Sequence, residues 1–257
     1  MPAPLPPAPD SAGEISEDRS LGGRVRLLQP RRGYRAGLDA ALLAAACEAQ
    51  AGDRVLDVGC GPGAVFLAAA VRRPQARFWG LERDPEALEL AQRNIALNGL
   101  QARAEVVAWE VERGFSRLGL KPFDEVLCNP PFFDEPARLR APHPKRAGAY
   151  LADAGLKAWT DLLLKAAREG GAITVIHRAD RLADLLALLA PKAGSFRIRP
   201  VHPFADEPAK RVLLRAVKTG KAPLQLLPAL VLHDRTGAKH TPEAEAILRG
   251  ETALGWG

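Results

Sequence analysis

Two short stretches of this chain combine residue types that do chemistry. Val55-Leu56-Asp57-Val58-Gly59-Cys60-Gly61-Pro62-Gly63 sets a carboxylate two residues before three alternate glycines, and Asn129-Pro130-Pro131-Phe132-Phe133 sets an amide before two prolines and two aromatic rings. A glycine turn of this kind lets backbone approach a ligand closely, because glycine has no Cβ and accepts positive φ. The second stretch offers two acceptors. The Asn129 side-chain oxygen and the Pro130 carbonyl can take both hydrogens of a planar amine and leave its lone pair aimed at an electrophile in line. Pro130 and Pro131 fix that geometry beforehand, Phe132 gives a planar acceptor a stacking face, and Phe133 extends that face or joins the core.

The ligand of the glycine turn follows from charge. Gly59-x-Gly61-x-x-Ala64 satisfies the dinucleotide fingerprint, and Glu82 follows at roughly the distance of its ribose-binding acid. Asp57 opposes that reading, since a carboxylate beside the turn repels a pyrophosphate lying on the helix N-terminus. S-adenosylmethionine has no phosphate and carries an ammonium and a sulfonium, so the balance favours it, with a nicotinamide dinucleotide as the competitor. In Gly80-Leu81-Glu82-Arg83-Asp84, Glu82 is placed to accept from both ribose hydroxyls. In Ala108-Trp109-Glu110-Val111, Glu110 is placed to accept from an adenine amine, with Val111 packing on the ring. No Ser-His-Asp or Cys-His arrangement accompanies these stretches. Cys47, Cys60 and Cys128 lack the spacing of a zinc site, so no metal is expected.

These residues need elements to position them. From residue 54 onward strand-like and helix-like segments alternate, which predicts an α/β doubly wound fold with a seven-stranded, mostly parallel sheet. The predicted strands are Arg54 to Val58, Arg77 to Glu82, Ala104 to Ala108, Phe123 to Cys128, Ala172 to His177, Phe196 to Val201 and Arg211 to Val217, the last two forming a final antiparallel hairpin. The predicted helices are Leu38 to Ala49, Ala64 to Arg72, Pro85 to Asn98, Leu151 to Glu169, Arg181 to Leu189 and Thr241 to Arg249. Gly99 and Gly170 stand where helix C-caps belong, and Thr241 with Glu245 brackets the start of the last helix. Both chemical stretches then sit at carboxyl ends of parallel strands, where ligands of such sheets bind.

Residues 1 to about 20 contain five prolines and few apolar residues, so they read as a disordered tail, with 21–257 as one domain in which Arg24 to Leu28 alternates like a short strand. No run approaches the roughly 20 apolar residues of a membrane span, and no secretory pattern opens the chain, so a cytoplasmic protein is expected. The 36 basic and 30 acidic residues leave a formal charge of +6, which permits a polyanionic partner. Arg24, Arg26, Arg31, Arg32 and Arg35 precede the glycine turn with no acid from 20 to 38, and Arg138, Arg140, His143, Lys145 and Arg146 follow the Asn129 stretch. Two basic runs framing one site suggest nucleic acid.

Taken together, these motifs resemble the class I methyltransferases of the Asn-Pro-Pro-aromatic type, in particular the bacterial enzymes that methylate the exocyclic amine of an adenine in valine tRNA. The resemblance covers about residues 21 to 250 and includes Gly33-Tyr34-Arg35-Ala36-Gly37-Leu38-Asp39, Arg211-Val212-Leu213-Leu214 and Thr241-Pro242-Glu243-Ala244. It implies a Rossmann-like fold and S-adenosylmethionine as cofactor. Gly37, Asp39, Asp57, Gly59 and Gly61 would lie toward the methionine end, Glu82 and Arg83 toward the ribose, and Glu110 and Val111 toward the adenine. Asn129 would border both cofactor and acceptor. Phe133, Arg31, Arg32, Arg35, Arg138, Arg140, Lys145 and Arg146 are the candidates for holding tRNA. Glu110 stands where the family usually has aspartate, and Phe132 where tyrosine is frequent. A related branch methylates the glutamine amide of release factors, but usually through a separate N-terminal helical domain, and a non-catalytic binding module would be expected to have lost the Asn129 motif.

Overall fold

The computed structural model describes residues 15–31, 35–131, 155–235 and 237–257. An N-terminal hairpin of β1 (Ile15–Ser20) and β2 (Val25–Pro30) leads to α1 (Leu38–Ala45). Then β3 (Arg54–Val58), α2 (Ala64–Arg72), β4 (Arg77–Glu82), α3 (Pro85–Leu97), β5 (Ala104–Ala108) and β6 (Phe123–Cys128) alternate as anticipated. The second half adds α4 (Leu156–Ala166), β7 (Ala167–Arg178), α5 (Leu182–Leu189), β8 (Ala193–His202), β9 (Arg211–Lys218), β10 (Gln225–Leu226), β11 (Leu230–Val231) and α6 (Pro242–Arg249).

The main sheet runs β5-β4-β3-β6-β7-β9-β8, with β10 and β11 both paired to β8. Only β9 is antiparallel to its neighbours, so the seven expected strands and their final hairpin are present. Strand order reverses between β3 and β6, the switch point at which α/β sheets open a crevice. Successive residues of a strand face opposite sides. Accordingly Val55, Leu127, Ile176 and Leu213 join the core under α1, α2 and α6, while Leu56, Val126, Val175 and Leu214 join the core under α4 and α5. Each strand is therefore apolar on both faces, the pattern of a doubly covered sheet.

Local signals hold where they are local. Asp84 Oδ1 accepts from Glu86 N at 2.9 Å and Pro85 opens α3, while Gly99 follows its C-cap at φ +66°. Thr241 Oγ1 accepts from Ala244 N at 3.2 Å and caps α6, but Glu245 reaches forward to Arg249 rather than back to the cap.

Four expectations need correction, each for a tertiary reason. Ile15–Ser20, expected in the disordered tail, is β1, because Glu17 pairs with Arg26 and Asp18 with Arg35. The first helix ends at Ala45 rather than Ala49, where Leu254 N donates to the Ala45 carbonyl and Trp256 Nε1 to the Ala46 carbonyl, so C-terminal residues satisfy the open helix end. The helix before β7 ends at Ala166, and Gly170 is not its cap: it lies within β7 at φ +72°, where the β6 register shifts between Phe123 and Glu125. The segment Gln225 to Val231, for which no strand was expected, adds β10 and β11.

Candidate active site

The glycine turn hangs from the end of β4. Gly59 N and Cys60 N both donate to the Leu81 carbonyl at 2.9 Å, and the next residue, Glu82, turns its carboxylate back onto the turn. Glu82 Oε2 accepts from Gly61 N at 2.8 Å, while Oε1 accepts from Arg83 N and Asp84 N, each at 2.8 Å. Three backbone donors thus orient one carboxylate at the crevice, which bears on the dinucleotide competitor. The Gly61 amide, a natural donor to a pyrophosphate on this turn, already serves an anion that would repel one.

The three glycines serve different needs, although all have positive φ (72°, 54° and 95°). A Cβ on Gly59 would come within 2.6 Å of the Trp159 ring, and one on Gly63 within 2.8 Å of Phe66, so those two are demanded by packing. A Cβ on Gly61 would meet nothing within 4 Å, nor would one on Gly37 at the start of α1. Gly61 is the glycine that presents open backbone to the crevice.

Asp57 is 1% exposed, its carboxyl is bonded by the Phe66 backbone amide, and its Oδ2 has no hydrogen-bond partner among the described residues. Burial pushes its pKa up to about 8, the Phe66 amide opposes that rise, and the Glu82 charge adds to it. Asp57 therefore holds its proton to higher pH than an ordinary carboxyl, so the charge argument at this turn does not rest on Asp57 alone. An orphaned buried carboxyl oxygen, a carboxylate fixed by three amides and an open glycine backbone form a donor and acceptor set that fits a cationic amino acid and a ribose.

Trp109 follows β5, and its backbone N donates to the Glu82 carbonyl at 2.9 Å. Glu110 is exposed and opens a short 3-10 turn (Val111–Arg113), while Val111 is half-buried against the α4 core. Sequence reasoning gave no role to Trp109 or Trp159. Both are 9% exposed, and their indole N–H groups have no partner among the described residues. A tryptophan directly before Glu110 was the available signal for the first; nothing in the sequence marked the second as the neighbour of Gly59.

Asn129 is one residue beyond Cys128, whose register partners are Val58 on β3 and Val175 on β7. The Asn129-Pro130-Pro131 segment therefore leaves the sheet beside Gly59, at the switch point, with Pro130 buried. Phe132, Phe133, Arg138, Arg140, His143, Lys145, Arg146 and Arg32 lie outside the described residues.

The hairpin arginines have partners of their own. Arg24 donates to the Leu21, Arg249 and Gly250 carbonyls, Arg26 forms two bonds with Glu17, Arg31 reaches the Ile15 carbonyl, and Arg35 bonds Asp18, Ser16 and the Pro30 carbonyl. Arg31 and Arg35, expected at a substrate face, thus brace the hairpin, with β1 supplying the acids that residues 20 to 38 lack. Asp39, expected among the cofactor contacts, is engaged by Arg211 Nε at 2.9 Å. Among the described residues no group of three or more His, Cys, Asp or Glu is placed to hold a metal, and no helix is long and apolar enough to cross a membrane.

Comparison with known proteins agrees with this geometry. The family described as Methyltransferase small domain matches residues 35–155. A tRNA1(Val) (adenine(37)-N6)-methyltransferase of Porphyromonas gingivalis is 32% identical over 221 residues, covering 81% of this chain and 85% of that protein. A release factor glutamine methyltransferase of Gloeobacter violaceus is 31% identical over 172 residues, covering 62% of this chain and 57% of that protein. Among solved structures, a predicted O-methyltransferase from Agrobacterium tumefaciens superposes with a TM-score of 0.71 at 28% identity, over 84% of this chain and 98% of that one.

Proposed function

Because this chain belongs to the class I S-adenosylmethionine-dependent methyltransferases of the Asn-Pro-Pro-aromatic type, enzymes of amino-nitrogen methylation, we propose that its acceptor is the exocyclic amine of an adenine in tRNA. The observation that carries this reading is the departure of Asn129-Pro130-Pro131 from β6 beside Gly59, at the strand-order switch where Glu82 and Asp57 also converge. The tRNA-modifying relative is matched over 85% of its length, whereas the glutamine-modifying one is matched over 57%, which favours the nucleic acid. In the same reading the unit begins with the β1–β2 hairpin, so residues 15–257 rather than 21–257 act as one methyltransferase unit, in the cytoplasm.

When bound, S-adenosylmethionine supplies an electrophilic methyl group on a sulfonium, which departs as a neutral thioether. The protein's residues have the remaining tasks. Glu82, Arg83, Gly61 and Gly37 hold the ribose and amino-acid parts, Asp57 takes the buried polar contact, and Glu110 with Val111 borders the adenine. The Asn129 side-chain oxygen and the Pro130 carbonyl accept the two amine hydrogens, so the nitrogen lone pair is localised and faces the methyl donor. Phe132 and Phe133 stack on the base, which, in a stem or a loop, must first be turned out of its stack. No general base is needed to start the reaction, because the attacking lone pair is already present; once the nitrogen has become cationic it is strongly acidic and loses its proton to water.

Purified protein with labelled S-adenosylmethionine should transfer methyl to tRNA lacking its own modification, and nucleoside mass spectrometry should locate the label on adenine. Transfer to a release-factor glutamine with none to any RNA would replace this acceptor by the protein one.

A further inference from the structure

Two buried amides tie the glycine turn to the N-terminal segment. Asn94 of α3 is fully buried, and its side chain uses both donors and its acceptor: Nδ2 donates to the Leu28 carbonyl and to the Pro62 carbonyl, each at 2.9 Å, and Oδ1 accepts from Leu28 N at 2.7 Å. One turn later Asn98 bonds the Arg26 N–H and carbonyl in the same way, at 2.9 Å and 2.7 Å, and its Nδ2 also donates to the Asn94 carbonyl at 2.8 Å, within its own helix. Residues four apart share a helix face, and alternate residues of a strand turn their N–H and C=O to one edge, so α3 completes the free edge of β2 with side-chain amides. Asn94 differs from Asn98 in one respect: its second donor reaches Pro62, inside the glycine turn.

The connection continues. Gln29, next to Leu28 and 3% exposed, accepts from Ala36 N at 3.0 Å and donates to Asp18 at 2.6 Å. Ala36 precedes Gly37, the open glycine at the N-terminus of α1. Asp39 in that first turn binds Arg211, whose register partner Arg178 ends β7. The entry to α1 therefore lies at the same carboxyl end of the parallel strands as the glycine turn, and it is joined to the turn through Ala36, Gln29, Leu28, Asn94 and Pro62.

We propose that Asn94 and Gln29 are positioning residues that hold the Ala36–Gly37 entry to α1 in register with the glycine-rich turn, so that cofactor binding at the turn orders the N-terminal hairpin and the entry together. This rests on the cofactor reading above. Neither amide touches the cofactor in it. Asp at 94 would lose both donors and turn an anion toward two carbonyls, whereas Met at 29 would keep the volume and lose only the two bonds.

Hydrogen exchange of the unaltered protein with and without S-adenosylhomocysteine tests the coupling directly, since exchange reports local opening. Protection should appear at 58–64 and extend to 25–31 and 35–37. In parallel, Gln29→Met should bind S-adenosylhomocysteine about tenfold more weakly, within the usual range of coupling between sites, while Asn98→Ala, which loses two hairpin bonds and one to the Asn94 carbonyl but none to the turn, should stay within about twofold. Protection confined to 58–64, or wild-type affinity in Gln29→Met, would overturn the coupling and leave the cofactor site standing. Absence of protection at 58–64 itself would remove the cofactor reading and this inference with it.

Discussion

The two sides of the crevice are made rigid by different means. On the β3–β4 side, hydrogen bonds do it: one carbonyl accepts two amides of the glycine turn, and one carboxylate accepts three more. On the β6 side, two consecutive proline rings fix φ beyond Asn129 covalently. A surface that recognises a whole cofactor needs many oriented dipoles, whereas a surface that holds one amine needs two acceptors in fixed directions. The first side should therefore fail in binding and the second in turnover.

The sharpest break of that contrast is Asn129→Ala. Transfer should fall by about a hundredfold or more, the cost of losing an aligned attack geometry, with S-adenosylhomocysteine affinity changed little by calorimetry. A parallel loss of affinity would merge the two sides. Glu82→Gln keeps the shape and removes the charge, so cofactor affinity should weaken by about tenfold to a hundredfold, in line with about 1.5 to 3 kcal/mol for a hydrogen bond to a charged group. Retained affinity would show that the carboxylate only braces the turn.

Within the turn, Gly59→Ala should lower stability by about 1 to 3 kcal/mol through overlap with Trp159, on top of the cost of its own positive φ, and Trp159→Leu in the same chain should recover part of the overlap. Gly61→Ala lacks that clash and should cost only about 1 to 2 kcal/mol from its positive φ. Equal denaturation midpoints that Trp159→Leu fails to separate would contradict the division of labour among the glycines.

A separate effect, read against pH rather than by affinity, concerns Asp57. Its folded pKa of about 8 lies above the ordinary carboxyl value, so between about pH 4 and pH 8 the native state holds a proton that the unfolded state has released. Stability from this group is greatest below the unfolded pKa and is lost as pH rises through the folded one, at about 1.4 kcal/mol per pH unit at most. Asp57→Asn should flatten that decline in thermal melts from pH 5 to pH 8. A wild-type melting temperature that rises across this window while the variant stays flat would reverse the assignment.

Much of the fold was legible because its signals are short-range. Bounds of β3, β4, β5, β6 and α2 coincide with those read from alternation and glycine punctuation, and the motif residues fall at strand ends where such sheets bind ligands. What escaped was set by distant partners. Arg26 and Arg35 read as a free basic face because their acids, Glu17 and Asp18, sit in a strand with no apolar alternation strong enough to announce it. Gly170 looked like a helix cap, since glycine at positive φ serves a bulge as readily as a helix end.

By itself the sequence determined which residue types meet at the carboxyl ends of β3, β4, β5 and β6, since strand periodicity and a glycine or proline turn are properties of neighbouring residues. Tertiary structure alone decided the electrostatic state and the couplings of that site. Burial of Asp57 raises its pKa, Trp159 claims the space at Gly59, and Asn94 joins Pro62 to Leu28, which lies 66 residues before Asn94 in the chain. Desolvation and long-range hydrogen bonding depend on what packs around a group, and no local stretch of sequence carries that information.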